Sequence, residues 1–190
     1  MKRMFIAIEV QNNKALADLI ASYSSVLAGE KIRWVDPSNM HLTLAFLGDI
    51  DERQQEEAAQ LLEETTRHFE PFTIEFTGAG LFRNLRRPRV LWLGIEAGDT
   101  LYKMRSVLCH RLKEAGLLDE EKPFSPHLTL GRMKRIENRE RLSDLLSEPG
   151  GHKLPPQHVS EIILYESILR EGSPPVYRRA AEAELRYHSP

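Results

Sequence analysis

The sequence predicts an α/β protein of the α+β type, in which mostly antiparallel or mixed sheet carries helices on one face. Short runs with strand character alternate with longer amphipathic segments of helical period. Paired apolar runs separated by turn residues, as around residues 171–175, add hairpin signals. The word His-Leu-Thr-Leu occurs twice, in helix–strand units that look like two copies of one plan. No long linker interrupts the chain, so residues 1–190 are predicted to form a single domain of two lobes.

The first half of the chain contains four predicted strands and two predicted helices. Asn12 or Asn13 is placed to cap the first helix, which Gly29 ends. Asp51 and Gln54 have the spacing of a capping box at the start of the second helix. This second helix extends to about residue 68. The strands are predicted at residues 5–10, 31–35, 41–47 and 72–77, with an irregular segment at 78–82 and an arginine-rich loop after it.

The second half repeats this alternation. Asp99 is placed to cap a helix that Gly116 ends. The apolar stripe of this helix is spaced by three and four residues and consists of Leu101, Met104, Leu108, Leu112 and Ala115. Strands are predicted at residues 90–95, 127–133, 159–169 and 177–185, a short helix at 137–146, and loops at 119–126 and 148–156. The last two strands are expected to pair as a hairpin.

Composition limits the classes of function. The formal net charge is −2, so we expect any nucleic-acid contact to be local. No run approaches the roughly 18 apolar residues of a membrane span. Cys109 is the one cysteine, which excludes an internal disulfide and suggests the cytoplasm. Two local basic clusters are open to interpretation as solvated surface or as RNA contacts: Arg83, Arg86, Arg87 and Arg89, then Lys134, Arg135, Arg139 and Arg141.

The repeated His-Leu-Thr-Leu words begin at His41 and His127, and each follows a turn and lies in a predicted strand. Side chains alternate between the faces of a strand, so each histidine projects beside the threonine two residues later, Thr43 or Thr129. The leucines then point into the core. An ordinary half-buried strand would show the same alternation, so one copy alone means little. Two copies in matching contexts favour a shared site.

An imidazole pair can cleave a phosphodiester without metal. One neutral imidazole deprotonates water while its protonated partner gives a proton to the leaving oxygen. Threonine hydroxyls can donate to the non-bridging oxygens. Metal-ligand motifs and an ATP-binding phosphate loop are both missing from the sequence. We therefore expect neither a metal nor another cofactor.

The paired motifs, in this context, resemble the two-histidine phosphoesterase superfamily. Within it, the chain resembles the bacterial and archaeal RNA 2′,3′-cyclic phosphodiesterases, also called 2′-5′ RNA ligase-like proteins. The resemblance spans nearly the whole chain. It is carried by residues 3–8, Trp34, residues 41–48, 87–92, 124–132 and 164–167.

The resemblance implies two pseudo-symmetric lobes around a central cleft. It implies hydrolysis of an RNA-terminal 2′,3′-cyclic phosphate to a 2′-phosphate, with His41 as proton donor and His127 as proton acceptor. The reverse chemistry would join RNA through a 2′-5′ bond. The expected partners are RNA 3′ ends carrying the cyclic phosphate, tRNA fragments among them, and the expected state is a cytoplasmic monomer. Two alternatives stay open: a phosphodiesterase for small cyclic phosphates of nucleotides or sugars, and a non-catalytic RNA-binding module.

Arg132 is a candidate phosphate ligand beside Thr43 and Thr129. Strict alternation would put it on the face of the leucines, away from the site, unless a bulge or strand end re-aims it. Three aromatic residues are candidates for stacking on a base, with a core position as the more frequent alternative: Phe5, Trp34 and Tyr165. The remaining histidines lack the motif and are interpreted as surface or core residues: His68, His110, His152, His158 and His188.

Overall fold

The computed structural model describes residues 1–11, 13–120, 123–147 and 154–187. Its strands and α-helices follow in the order β1 (Lys2–Glu9), α1 (Lys14–Val26), β2 (Lys31–Trp34), β3 (His41–Ile50), α2 (Glu52–Thr66), β4 (Phe72–Phe82), β5 (Val90–Ala97), α3 (Asp99–Glu114), β6 (His127–Arg135), α4 (Arg139–Ser147), β7 (Gln157–Val159), β8 (Glu161–Ile168) and β9 (Val176–Glu184). A 3-10 turn, Pro37–Asn39, precedes β3.

These strands form two antiparallel sheets. The first sheet has the order β3-β1-β8-β9 and the second has the order β2-β6-β5-β4-β7. The two motif strands, β3 and β6, therefore lie in different sheets, as a two-lobed fold requires. The chain also crosses between the sheets, because β2 comes early in the sequence and pairs with β6. The α+β class, the mostly antiparallel sheets and the final hairpin are confirmed.

The apolar core lies behind the face that carries the motif histidines. Met4, Ile6 and Ile8 of β1 belong to the large buried cluster. Their neighbours Phe5 and Ala7 project to the opposite face of the first sheet, into a small cluster that also contains Ile163 and Tyr165. This second face is the one that carries His41 and Thr43, since Glu9 pairs with His41 and Ala7 with Thr43.

Two predicted helix caps are confirmed and one is wrong. The Asn13 side chain accepts from the Leu16 amide at 3.0 Å, while Asn12 lies outside the described residues. Asp51 and Gln54 form both bonds of a capping box. Asp99, however, is the first residue inside α3, and the cap is Gly98. A carboxylate is also favourable in the first helical turn, where it faces the positive end of the helix dipole.

Two strand predictions need correction. Residues 78–82, predicted to be irregular, belong to β4, which contains a bulge between Phe76 and Ala79. Gly80 weakens the strand signal, yet a Cβ at that position would lie 2.2 Å from the Trp92 ring, so close packing requires a glycine. The predicted strand 159–169 is in fact β7 followed by β8, which belong to different sheets. The predicted loop 148–156 lies mostly outside the described residues, as do 121 and 122 of the loop 119–126.

Candidate active site

The two motif histidines are held in the same way. His41 Nδ1 lies 2.8 Å from the carbonyl oxygen of Asn39, and His127 Nδ1 lies 2.7 Å from that of Ser125. A carbonyl oxygen only accepts, so each Nδ1 must carry the proton and donate it. Each neutral imidazole then leaves Nε2 as its free acceptor, the tautomer required for exchanging protons with a substrate.

Aromatic rings pack against both imidazoles. Around His41, the ring centroid of Phe5 is 4.8 Å away and that of Tyr177 is 5.1 Å away, edge-on. Phe82 meets His127 edge-on at 4.6 Å. These contacts, together with the hydrogen bonds to the backbone, restrict each imidazole to one orientation.

The pKa of His41 is lowered, mainly because burial disfavours the charged imidazolium. The hydrogen bond to Asn39 works in the opposite direction, and the positive charges of His127 and Arg132 lower the pKa further. His41 therefore lies within electrostatic reach of both residues, although they belong to the other sheet. An anion bound among the three would oppose this lowering.

A bulge follows the threonine in each motif strand. In β3, Thr43 pairs with Ala7 and Ala45 pairs with Ile6, which leaves Leu44 as the extra residue. In β6, Thr129 pairs with Trp92 and Gly131 pairs with Leu91, which leaves Leu130 as the extra residue. After each bulge, side chains therefore point to the opposite face from the one that strict alternation along the strand predicts.

The bulge in β6 decides the orientation of Arg132. Arg132 pairs with Val90, two residues along β5 from Trp92, and so shares the face of Thr129. It is exposed. Burial raises the pKa of Tyr177, and the positive charge of Arg132 opposes that rise, just as it contributes to the lowered pKa of His41. The strict alternation that would have turned Arg132 away from the site is therefore wrong, and the bulge re-aims it.

Phe46 lies on the face that carries His41, a position that the sequence did not reveal. It holds the same position in the first motif that Arg132 holds in the second, five residues after the histidine. It pairs with Phe5 across β1 and β3, its ring centroid is 6.1 Å from that of Phe5, and it is 66% exposed. Phe46 is an apolar residue without a core position on its strand, and this becomes informative only once the bulge after Thr43 is known.

The three aromatic residues singled out from the sequence are largely buried. Phe5 and Tyr165 stack on each other on the motif face, the side of each sheet that carries the motif histidine, with ring centroids 5.3 Å apart. Burial raises the pKa of Tyr165 to about 12, so its phenol stays protonated near neutral pH. Trp34 packs against the main core. Phe5 and Tyr165 are therefore buried, and Trp34 is partly buried, as a core position predicts.

Arg105 of α3 connects the two motifs from behind, and it too was missed. Its Nε donates to the carbonyl of Leu44, the bulge residue of the first motif, at 3.2 Å. Its guanidinium also lies 4.5 Å from the ring centroid of Phe124, three residues before His127. Arg105 is 9% exposed and lies one helical turn from the buried residues Leu101 and Cys109. That helical spacing was its only signal.

The other histidines lie outside this arrangement. His110 is exposed on α3, 3.4 Å from Glu114, and His68 and His158 are exposed as well. His152 and His188 lie outside the described residues. In the described ranges, no group of three or more His, Cys, Asp or Glu side chains is arranged to hold a metal ion. No helix in the same ranges is long and apolar enough to cross a membrane.

Residues 6–92 match the LigT like Phosphoesterase family, and residues 93–176 match it a second time. The first match contains His41 and the second contains His127, so the internal repeat follows the two motifs. The chain belongs to this phosphoesterase family, which confirms the resemblance inferred from the motifs.

Relatives and solved structures agree with this assignment. The chain is 33% identical over 174 residues to the RNA 2′,3′-cyclic phosphodiesterase of Methanothermobacter thermautotrophicus, covering 90% of this chain and 93% of that protein. It is 40% identical over 134 residues to the RNA 2′,3′-cyclic phosphodiesterase of Thermotoga maritima, covering 70% of each. The crystal structure of E. coli LigT with 3′-AMP superposes with a TM-score of 0.77 at 25% identity, over 98% of this chain and 99% of that one.

Proposed function

We propose that this chain hydrolyses the 2′,3′-cyclic phosphate at the 3′ end of an RNA to a 2′-phosphate. The observation that carries the proposal is the matched pair of imidazoles, each donating Nδ1–H to the carbonyl two residues before it and leaving Nε2 free. The names of the relatives support the choice of substrate. RNA 3′ ends, tRNA fragments among them, are the proposed partners. Both histidines come from one chain, so a monomer suffices.

The proposed reaction uses one proton transfer at each histidine. Water attacks phosphorus while His127 Nε2 accepts its proton, and the bond between phosphorus and the 3′ oxygen breaks. His41, protonated on Nε2, gives that proton to the departing 3′ oxygen, leaving a 3′-hydroxyl and a 2′-phosphate. Each transfer contributes on the order of 10²–10⁴-fold. The histidines return to their starting states by exchanging protons with solvent.

The residues beside the histidines would hold the phosphate. The hydroxyls of Thr43 and Thr129 project beside the two imidazoles and donate to the non-bridging oxygens. Arg132 supplies a fixed positive charge that attracts the negatively charged phosphate. The bound phosphate raises the lowered pKa of His41, so this residue becomes protonated, as a donor must be, when the substrate binds.

Phe46 would receive the terminal base. Its exposed ring lies on the same face as Thr43 and offers an apolar surface beside the phosphate site. Stacking on an aromatic ring is tolerant of sequence because every base has a π-face. If the 5′-hydroxyl of a second RNA replaced water, the same steps would form a 2′-5′ phosphodiester bond.

Turnover of two substrates tests this function against its alternatives. Purified protein in excess EDTA is given a nucleoside 2′,3′-cyclic monophosphate and an oligonucleotide ending in the same group, and products are compared with 2′- and 3′-phosphate standards. We expect a 2′-phosphate from the oligonucleotide. Binding without turnover would indicate the RNA-binding module, and turnover of the monomer alone would indicate a small cyclic phosphate. Activity lost to EDTA and restored by one divalent ion would replace the metal-free mechanism.

A further inference from the structure

Two arginines lie directly opposite each other at the edge of the second sheet. Arg33 of β2 pairs with Arg132 of β6, and both are exposed. In an antiparallel pair, opposite residues have Cβ atoms about 4.5–5.5 Å apart, and like charges there are destabilising. Within the described parts of the chain, neither arginine forms an ion pair that would relieve this repulsion.

Both guanidinium groups project from the motif face. Arg33 is flanked along β2 by Ile32 and Trp34, which pack against the main core, so Arg33 projects from the opposite side. That side carries Arg132 and Thr129. Gly131 allows close approach of β2, since a Cβ there would lie 2.8 Å from Ile32 Cγ2. β2 is the outer strand of its sheet, so Arg33 lies one strand beyond Arg132, at the sheet's open edge.

On the first sheet, one arginine is neutralised within the fold. Arg179 of β9 forms ion pairs with three carboxylates, those of Glu9, Glu161 and Glu182. The charge of Arg179 is therefore neutralised by carboxylates of the same chain. Among the described residues, the charges of Arg33 and Arg132 are not neutralised in this way, so a bound anion would stabilise the pair.

We propose that Arg33 binds the phosphodiester that joins the terminal nucleotide to its 5′ neighbour. This inference rests on the proposed function, in which Arg132 contacts the reacting cyclic phosphate. A second phosphate, one nucleotide along the chain, would then lie over Arg33 at the open edge of the sheet. Arg33 distinguishes the end of an RNA chain from a free nucleoside cyclic phosphate, because the latter lacks this second phosphate.

Three substrates isolate the contact. The first is adenosine 2′,3′-cyclic monophosphate, and the second is a diadenosine dinucleotide ending in the cyclic phosphate. The third is the same dinucleotide with a neutral methylphosphonate at the linking position. kcat/KM is measured on each for the wild type, Arg33→Ala and Arg33→Lys, with Arg53→Ala as a control that removes an exposed arginine from α2.

Arg33→Ala should lower kcat/KM on the charged dinucleotide by about tenfold, the lower end of the effect of losing a charge-assisted bond. On the monomer and the methylphosphonate dinucleotide, its kcat/KM should stay within about twofold of wild type. Arg33→Lys should recover part of the loss. The dependence of log(kcat/KM) on log salt, measured with the charged dinucleotide, should become shallower by about 0.7, as for one lost phosphate contact on a single strand. Arg53→Ala should match the wild type throughout.

Equal losses on all three substrates would overturn the proposal, because they would assign Arg33 a structural role. Unchanged kinetics on the charged dinucleotide would overturn it as well. Failure of the proposed function is distinguishable from both, since the wild type would then turn over neither dinucleotide. Thermal unfolding of each variant identifies any loss of folded protein before the kinetics are compared.

Discussion

Arg105 donates a hydrogen bond at 3.2 Å to the carbonyl of Leu44, the extra residue of the first motif's bulge. The same guanidinium lies over Phe124, three residues before the second motif. A bulge leaves backbone groups without their usual ladder partners, and a buried group of this kind needs another one. Arg105 supplies a donor there, and it links the two halves of the site through α3.

Arg105→Met should therefore destabilise the protein and impair catalysis together. Loss of a charge-assisted hydrogen bond and a cation–π contact corresponds to about 2–4 kcal/mol in the free energy of unfolding. kcat should fall more than KM rises, because the misplaced motifs still bind phosphate. Urea unfolding and steady-state kinetics measure both effects. Arg111→Ala, which removes a more exposed arginine from the same helix, should change stability by less than about 1 kcal/mol. Equal effects in the two variants would contradict the linking role.

His41→Ala and His127→Ala should each reduce kcat by about 10²–10⁴-fold or more. Both variants should still fold. Both rings lie at the motif face rather than in the main core, so the free energy of unfolding should change by only about 1 kcal/mol. Single-turnover assays and circular dichroism check the two statements, with His110→Ala as the control. A near wild-type rate in either variant would exclude the paired-histidine mechanism.

Thr43→Val and Thr129→Val should be less damaging than the histidine substitutions. Valine keeps the β-branched shape and removes the hydroxyl, so each variant loses one donor to a charged oxygen, about 1.5–3 kcal/mol. This corresponds to roughly 10- to 150-fold in kcat/KM. The measurement is kcat/KM on one cyclic phosphate under identical buffer conditions. Losses as complete as those of the histidine variants would assign the threonines a role in holding the strands.

The alkaline limb of the pH profile should shift when substrate binds. His41 must be protonated to act as donor, and its pKa is lowered in the free enzyme, so kcat/KM should fall as pH rises through that lowered value. The bound phosphate favours the imidazolium, so the corresponding limb of kcat should lie at higher pH. Profiles of both constants between about pH 5 and 9 test this order. An alkaline limb of kcat at lower pH than that of kcat/KM would contradict the donor role of His41.

Phe46→Ala should weaken binding of substrates that carry a base. Stacking of a base on an aromatic ring is worth about 1–3 kcal/mol, so KM should rise with little change in kcat. Phe46→Tyr should retain stacking and stay near wild type. Ribose 2′,3′-cyclic phosphate, which has no base, should be turned over equally by all three proteins. A loss of the same size on this substrate would mean that Phe46 supports the strand rather than the base.

The sequence by itself determined the two histidine–threonine motifs and their local geometry. His41 and Thr43 share a face, as do His127 and Thr129, because alternation along a strand is a local property. The caps at Asn13 and Asp51 were predictable for the same reason, since a cap and its amide partner are three residues apart.

Only the tertiary structure decided what surrounds those motifs. The bulges that aim Phe46 and Arg132 are defined by partner strands, β1 and β5, that lie far away in the sequence. The pairing of Arg33 with Arg132 depends on β2 joining the second sheet rather than the first. Arg105 reaches Leu44 across 61 residues. Such relationships depend on which elements pack together, and local periodicity carries no information about that choice.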